Sequence, residues 1–471
     1  MCNEKIINHL RAGFSAFWLK THEHYYVSEK IYSEIEKFER KDGNKYSVID
    51  WNCISESNNN PIVALQQLTD AEPFTILFLY NWHWFADKPQ IIQTIQNNLN
   101  FWASEGKAII CVSHTNKIPA ELEKQFVLFD ISLPKDEEIK KIVLEKFPEN
   151  KINEKEINKI VNSCKGFTRV EIENVLALSL IKTEGKNYSV ETINDHKAMT
   201  IHKTGFLEVL EPTVSFKDVI GYENLKEFIL ETIEHPKAKG VMTIGPPGCG
   251  KTSLMKAIVK ETGKFGLAIN MGQLFSKYQG ETDQNINTAI EIITAIGNCI
   301  VLIDEFEKQF AGASSDGSLD SGTTRRATGR WLDFLQNRPE GIYIVGTANS
   351  FNGIPGEYLR PGRWDTSPFF IDLPTSKTKS KILNYYCNKV GIKENENMPD
   401  LDMYSGAEIE ALVHIASMRN ITLIEASKSI LPQAKTMEEK INELRNWSKG
   451  RTIPAEMVLK TVKQKIRKID S

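Results

Sequence analysis

Residues Gly245 to Thr252 read GPPGCGKT, a run that satisfies the pattern G-x-x-x-x-G-K-[ST]. The chemistry open to it follows from its residue types. Glycines let successive backbone N–H groups curl around phosphate oxygens, and a helix starting there adds partial positive charge. Lys251 can then reach the β and γ phosphates while Thr252 offers a hydroxyl to Mg²⁺. Pro246, Pro247, Gly248, Cys249, Gly250 and Ser253 complete the cradle. Farther along, CIVLIDEFEKQF (Cys299 to Phe310) ends an apolar run in two acids. Asp304 would stand at the strand end to hold the Mg²⁺ shell, and Glu305 beside it could take a proton from an attacking water. Cradle and acid pair together predict a site for ATP and Mg²⁺.

These groups need elements to hold them. VMTI before the loop reads as a strand and LMKAIVK after it as a helix, so the Gly-rich run occupies a strand-to-helix turn, the setting in which it can work. CIVLI is suited to a parallel strand buried on both faces. The chain also carries a second version of this plan. TILFLYNWHWF (Thr75 to Phe85) parallels Cys299 to Phe310, and Ala108 to Pro134 parallels Ile342 to Pro374: strand, Ile-Pro turn, short helix, strand, Leu-Pro. Beyond each comes a helical stretch, with Glu171-Ile172-Glu173 in one and Glu408-Ile409-Glu410 in the other. The first copy lacks matching chemistry. In place of the phosphate loop it has SAFWLKTHEHYYVSEKI, without a glycine, and in place of the acid pair it has Tyr80 and Asn81. One nucleotide centre per chain, in the second half, is expected.

At 471 residues the chain is too long for one ordinary core, and two or three domains are expected. A hydrophobic fraction of 41% and a charged fraction of 25% are those of a globular protein and call for no disordered or fibrous reading. A net charge of -3 argues against a surface built as a whole for nucleic acid. The basic end KTVKQKIRKIDS reads as a solvated helix face. Seven cysteines without a C-x-x-C pair indicate neither a disulfide framework nor a zinc site, and a reducing compartment follows. No apolar run is long enough for a membrane span, and the charged start MCNEKIINHLRAGF reads as no signal peptide.

Loop, acid pair and repeated helical stretch give the second half, from about Phe216 to Leu431, a resemblance to the AAA family of AAA+ ATPases. That resemblance implies two P-loop NTPase-like α/β modules in tandem, each a parallel sheet with a helical lid, the first degenerate. Residues 1–205 would form the degenerate module, 206–374 the nucleotide-binding domain, 375–435 its lid and 436–471 a helical tail. In VSFKDVIGYENLKEFI, Ile220 and Gly221 would face adenine. Asn349 in VGTANS resembles the polar residue that aligns the lytic water. Arg360 and Arg363 in LRPGR stand where the family has its arginine fingers, and Gly406 and Ala407 in SGAEIEAL where its lid meets the nucleotide. Tyr278 in FSKYQGETD falls at the central pore loop, and Ala311 to Arg326 at a second one. The resemblance implies a homo-oligomeric ring, a hexamer, that remodels a protein partner, in the cytoplasm or a plastid stroma. A nucleotide-gated scaffold with slow hydrolysis and a nucleic-acid loader are the alternatives. A narrower resemblance, to the two-domain AAA proteins of cyanobacteria and plastids known from hypothetical chloroplast open reading frames, covers nearly the whole chain. Here Arg-Pro-Gly-Arg replaces Arg-Lys-Gly-Arg, and Tyr278 replaces an aliphatic residue.

Smaller signals have two readings each. Tyr278 could grip a polypeptide or pack on its own domain. Cys249, at a helix N-terminus, could have a lowered thiol pKa and act as an oxidation switch, or be a small residue tolerated in the loop. His22, His24 and His83 have no metal-site spacing and read as scattered. Trp82, Trp84, Phe85 and Trp102 read as core.

Overall fold

The computed structural model describes residues 2–37, 45–54, 59–131, 133–146, 153–275, 281–310, 321–352, 354–360, 362–392 and 398–456. The chain divides into two compact units, residues 1–157 with 167–178, and residues 158–166 with 179–471.

In the first unit, five strands form one parallel sheet: β1 (Ala16–Lys20), β2 (Ser47–Trp51), β3 (Thr75–Tyr80), β4 (Ala108–Ser113) and β5 (Val127–Asp130), in the order β2-β3-β4-β1-β5. The apolar runs divide by side-chain alternation. Trp18, Leu77, Leu79, Ile109 and Cys111 pack into one core with Trp82 and Trp102. Phe17, Leu19, Ile76, Phe78, Ile110 and Val112 enter a second core on the opposite face. Both faces are covered by crossover helices, which is why these strands read as continuous apolar segments.

The second unit contains β6 (Leu207–Val209), β7 (Gly240–Ile244), β8 (Phe265–Ile269), β9 (Cys299–Ile303), β10 (Ile342–Ala348), β11 (Phe369–Phe370) and β12 (Ile453–Pro454). Its sheet runs β12-β11-β7-β10-β9-β8-β6, with β6 antiparallel to β8. Setting aside the two edge strands leaves β8-β9-β10-β7-β11, the order of the first unit with corresponding strands in corresponding places. The repeat read in the sequence is thus a repeat of topology, and the mixed α/β, parallel-sheet expectation holds. The helical lid has its own core, where Ile382, Leu383 and Cys387 meet Ile409, Leu412 and Val413.

The last described segment returns to the sheet. The helix Glu438–Ser448 places Arg445 on Asp372 at 2.9 Å and stacks Trp447 on Phe351, ring centroids 4.6 Å apart. β12 then pairs with β11, and Asn224 donates to the Pro454 carbonyl at 2.7 Å.

Candidate functional site

The site of the second unit grows from three adjacent strand ends. β7 runs out at Ile244, where Gly245 passes so close to the next strand that a Cβ would lie 1.9 Å from the Ile371 carbonyl oxygen, so only glycine fits. The loop turns through Gly248 (φ 77°) and Gly250 (φ 75°), and the helix Lys251–Thr262 begins. Left-handed backbone at these points aims successive N–H groups into the loop's concavity, where an anion is favoured.

Lys251 is 6% exposed and donates to the carbonyls of Gly245 (2.8 Å) and Pro246 (2.7 Å). Burial pushes its pKa down. Thr252 donates its hydroxyl to Asp304 Oδ2 at 2.9 Å. The other oxygen of Asp304 accepts from the Thr347 hydroxyl on β10, and Thr347 Oγ1 in turn accepts the Glu305 N–H at 3.2 Å. A hydrogen bond to a carboxylate is worth about 1.5–3 kcal/mol, enough to hold Asp304 in one orientation. Glu305 sits in left-handed backbone (φ 51°) and its carboxylate meets Lys308 at 2.5 Å.

Asn349 follows β10, and its N–H donates to Glu307 Oε1 at 3.1 Å. Burial raises the pKa of Glu307, and its other oxygen is buried without a hydrogen-bond partner among the described residues. Thr347 and Glu307 are among the residues that sequence reading missed. Their only signal was proximity, two positions from Asn349 and from Glu305.

A cavity of about 370 Å³ joins Lys251, Thr252, Asp304, Glu305 and Asn349. It is lined by Pro247, Gly248, Cys249, Gly250, Lys251, Thr252, Ser253, Asp304, Glu305 and Asn349 from the strand ends, by Ile220 from the opening segment, and by Gly406 and Ala407 from the lid. Asp218, Tyr222, Ile382 and Tyr386 also face it. The lid touches the loop directly, the Ala407 N–H donating to the Gly248 carbonyl at 3.1 Å. Ser405 starts that lid helix through a capping box with Glu408. The opening segment is tied in on both sides: the Tyr222 hydroxyl donates to the Cys249 carbonyl, and Asp218 accepts from Ser215 and from Tyr385 of the lid, both at 2.6 Å. Those two bonds hold the Asp218 carboxyl well below the usual carboxylate range.

Some expected residues lie elsewhere. Gly221 (φ 92°) is absent from the lining and faces Glu456 and Thr378. Arg360 is exposed at the end of a short helical turn and does not line the cavity. Arg363 donates to the Glu357 carbonyl and lies over the Tyr358 ring, 5.9 Å from its centroid. Tyr278, the basic end Lys460–Ser471 and residues 311–320 lie outside the described residues. Of the two readings of Cys249, burial favours the small residue tolerated in the loop over a lowered thiol pKa. Cys249 is 1% exposed, and burial pushes its thiol up to about 12 despite the helix N-terminus and Lys251 beside it.

The first unit shows the same strand ends without these groups. Thr21 N–H donates to the Ser113 carbonyl at 2.8 Å just as Gly245 N–H donates to that of Ala348 at 3.1 Å, so the two positions correspond. After that point residues 21–23 suffice to reach the helix His24–Lys37, where the second unit uses residues 245–250. So short a link has no length to wrap a phosphate. Its Lys20-Thr21 pair stands at the strand end, with Lys20 on Asp130 at 3.3 Å, and not at the helix start. Asn81 takes the place and the backbone of Glu305 (φ 53°), and the Tyr80 hydroxyl donates to Asp50 at 3.0 Å. Trp82 and Trp102 are fully buried as expected, whereas Trp84 is 56% exposed. The histidines are not scattered: His22, His24 and His83 gather with His114 around these strand ends.

Residues 241–371 match the family described as ATPase family associated with various cellular activities (AAA). Residues 2–131 match the SpoVK-like AAA ATPase N-terminal domain, and residues 137–204 its second domain. The chain is similar to an uncharacterized AAA domain-containing protein, ycf46, of Guillardia theta, with 27% identity over 93% of each chain. The protein of that name from Pyropia yezoensis is 28% identical over 83% of this chain and 85% of its own. A peroxisomal ATPase PEX1 of Dictyostelium discoideum is 24% identical over 59% of this chain and 23% of its own.

Proposed function

Because this chain belongs to the AAA family of ATPases, we propose that its second unit hydrolyses ATP with Mg²⁺, within a homo-oligomeric ring that remodels a protein partner. The observation that carries the reading is the convergence of Lys251, Thr252, Asp304, Glu305 and Asn349 on one cavity. The Thr252 hydroxyl and the Asp304 carboxylate, 2.9 Å apart, form the oxygen-only donor set that Mg²⁺ prefers, so these residues fit it. Bound there, the ion would neutralise phosphate charge. The loop's N–H groups and Lys251 hold the phosphates, while Ile220, Gly406 and Ala407 enclose the base and sugar side. Glu305 accepts the proton of the attacking water, and Asn349, steadied by Glu307, orients that water.

Neither Arg360 nor Arg363 lines the cavity of its own chain, which supports their acting on the neighbouring subunit of a ring. A hexamer is the assembly we propose, with Tyr278 as the pore residue that grips polypeptide. No helix among the described residues is long and apolar enough to cross a membrane. The cytoplasm or a plastid stroma is the proposed place of action. The overall charge supports a protein partner over nucleic acid.

One observation favours the slower, assembly-gated reading: the Glu305 carboxylate is occupied by Lys308 at 2.5 Å. The two readings separate in turnover. Glu305→Gln should bind ATP and lose about 10²–10⁴ of its hydrolysis rate, the usual worth of a general base. Near-normal turnover by that variant would remove Glu305 from the role. Lys308→Ala should raise turnover if the ion pair is what restrains it, measured with and without candidate partners.

A further inference from the structure

The first unit keeps the architecture of a nucleotide pocket, and imidazoles occupy its strand ends. His22 lies in the link after β1, His24 opens the following helix, His83 lies in the turn after β3, and His114 follows β4. In the second unit the corresponding places hold the phosphate loop, Glu307 just past the acid pair, and Asn349. The His83 and His114 rings are 4.5 Å apart between centroids and nearly perpendicular. Those of His22 and His114 are 6.5 Å apart. His24 is close enough to both His22 and His114 to feel their charge.

Two details favour ligation over mere proximity. Nε2 of His24 is buried with no hydrogen-bond partner among the described residues, which leaves it open to a ligand or a water. His83 Nδ1 is 2.8 Å from the Ser113 hydroxyl. With the proton assigned to Nδ1, the bond fixes the ring and leaves the Nε2 lone pair free, as the outer partner of a metal-binding histidine does. A shared ion 2.0–2.1 Å from each nitrogen would set neighbouring ring centroids roughly 5 Å apart, between the two separations observed. No three such groups among the described residues already surround one point. His22 and His114 are exposed, however, so their rings can turn inward without disturbing the core.

We propose that the first unit binds one borderline divalent transition-metal ion, of the Zn²⁺ class, through His24, His83 and His114, with His22 as fourth ligand. An all-imidazole set without thiolate suits Zn²⁺, Cu²⁺ or Ni²⁺ and not Mg²⁺ or Ca²⁺. The ion would tie together the ends of β1, β3 and β4, the strand ends that correspond to those around the cavity of the second unit. Lys117, whose charge reaches His83 and His114, works against the ion and sets a limit on its affinity.

The test is calorimetric titration of the chelator-stripped full chain with Zn²⁺ in the absence of nucleotide. One site per chain at ~10 μM or tighter is expected. His83→Ala/His114→Ala should weaken it at least about tenfold, and Ser113→Ala also by about tenfold through the ring it holds. Asp304→Asn should leave it unchanged. Circular dichroism checks that each variant is folded, and if the double variant is not, His114→Gln at its exposed position serves the same comparison. Absence of uptake at ~100 μM, uptake indifferent to the histidine substitutions, or uptake lost in Asp304→Asn would each overturn the assignment.

Discussion

The two units share a strand order and differ at the strand ends. In both, an apolar strand next to the centre of the sheet stops at a residue in left-handed backbone, Asn81 in one and Glu305 in the other, at φ 53° and 51°. In both, the chain then enters a short 3₁₀ turn, Trp82–Trp84 or Phe306–Phe310. In both, a later helix opens on a hydroxyl residue bonded to a glutamate three positions on: Thr168 with Glu171 in the first unit, Ser405 with Glu408 in the second. Ile172 and Ile409, one residue beyond those glutamates, are both fully buried. The scaffold is retained because it is built from buried apolar strands, whose replacement costs several kcal/mol each. The chemistry is separable because it resides in the residues just past those strands, where a shortened link or an exchanged acid leaves the core intact. A lost phosphate loop therefore does not imply a lost fold.

The contrast can be broken or sharpened by experiment. The largest effect is expected from the arginines. Arg360→Ala/Arg363→Ala should lower hydrolysis by about 10³–10⁵, and mixing that variant with Lys251→Ala subunits should restore part of the activity at shared interfaces. Full activity of the double variant alone would show that neither arginine acts on a neighbour. Arg360, the exposed one, should account for most of the loss that mixing repairs, because Arg363 is engaged within its own loop.

Next comes stoichiometry. Titration with a slowly hydrolysed ATP analogue should find one site per chain and none after Lys251→Ala. A site surviving Lys251→Ala would mean that the first unit still holds nucleotide, and the contrast between the units would fall. Smaller still is the backbone effect. Glu305→Gly should relieve left-handed strain and raise stability by ~0.5–1 kcal/mol in denaturant unfolding, even as it abolishes hydrolysis. Asn81→Gly should gain less, since Asn tolerates that conformation better than Glu does. Equal gains would show that the two pivots are not strained as their residue types imply. Least of all is expected from peroxide. With the Cys249 thiol buried and its pKa pushed up to about 12, the native chain and Cys249→Ala should lose activity at the same rate. Protection by the alanine would restore the oxidation switch.

Much of this was legible in one dimension because the decisive spacings are local. The phosphate loop, its lysine and its threonine lie within a single strand-to-helix turn, and the acid pair within two residues, so their relation survives any tertiary arrangement. The repeat was legible for a related reason: strands buried on both faces are written as apolar runs, and runs can be compared without knowing how they pair. What was not legible depends on parallel register. Ile303 beside Gly346 sets Thr347 next to Asp304, across some forty residues of chain. The same kind of pairing between β3 and β4, with β1 alongside, brings His83 and His114 to His22 and His24, whose sequence separation had made them look unrelated. The burial of Cys249 was equally hidden, because helix-terminus electrostatics can be read locally whereas the opening segment, held by Tyr222, closes over the loop from outside it. So was the fate of the last described residues, which read as a helical tail yet supply an edge strand, since β12 finds its partner in β11 only after the sheet exists. Local spacing specifies which atoms can do chemistry; the register between distant strands decides which of them meet.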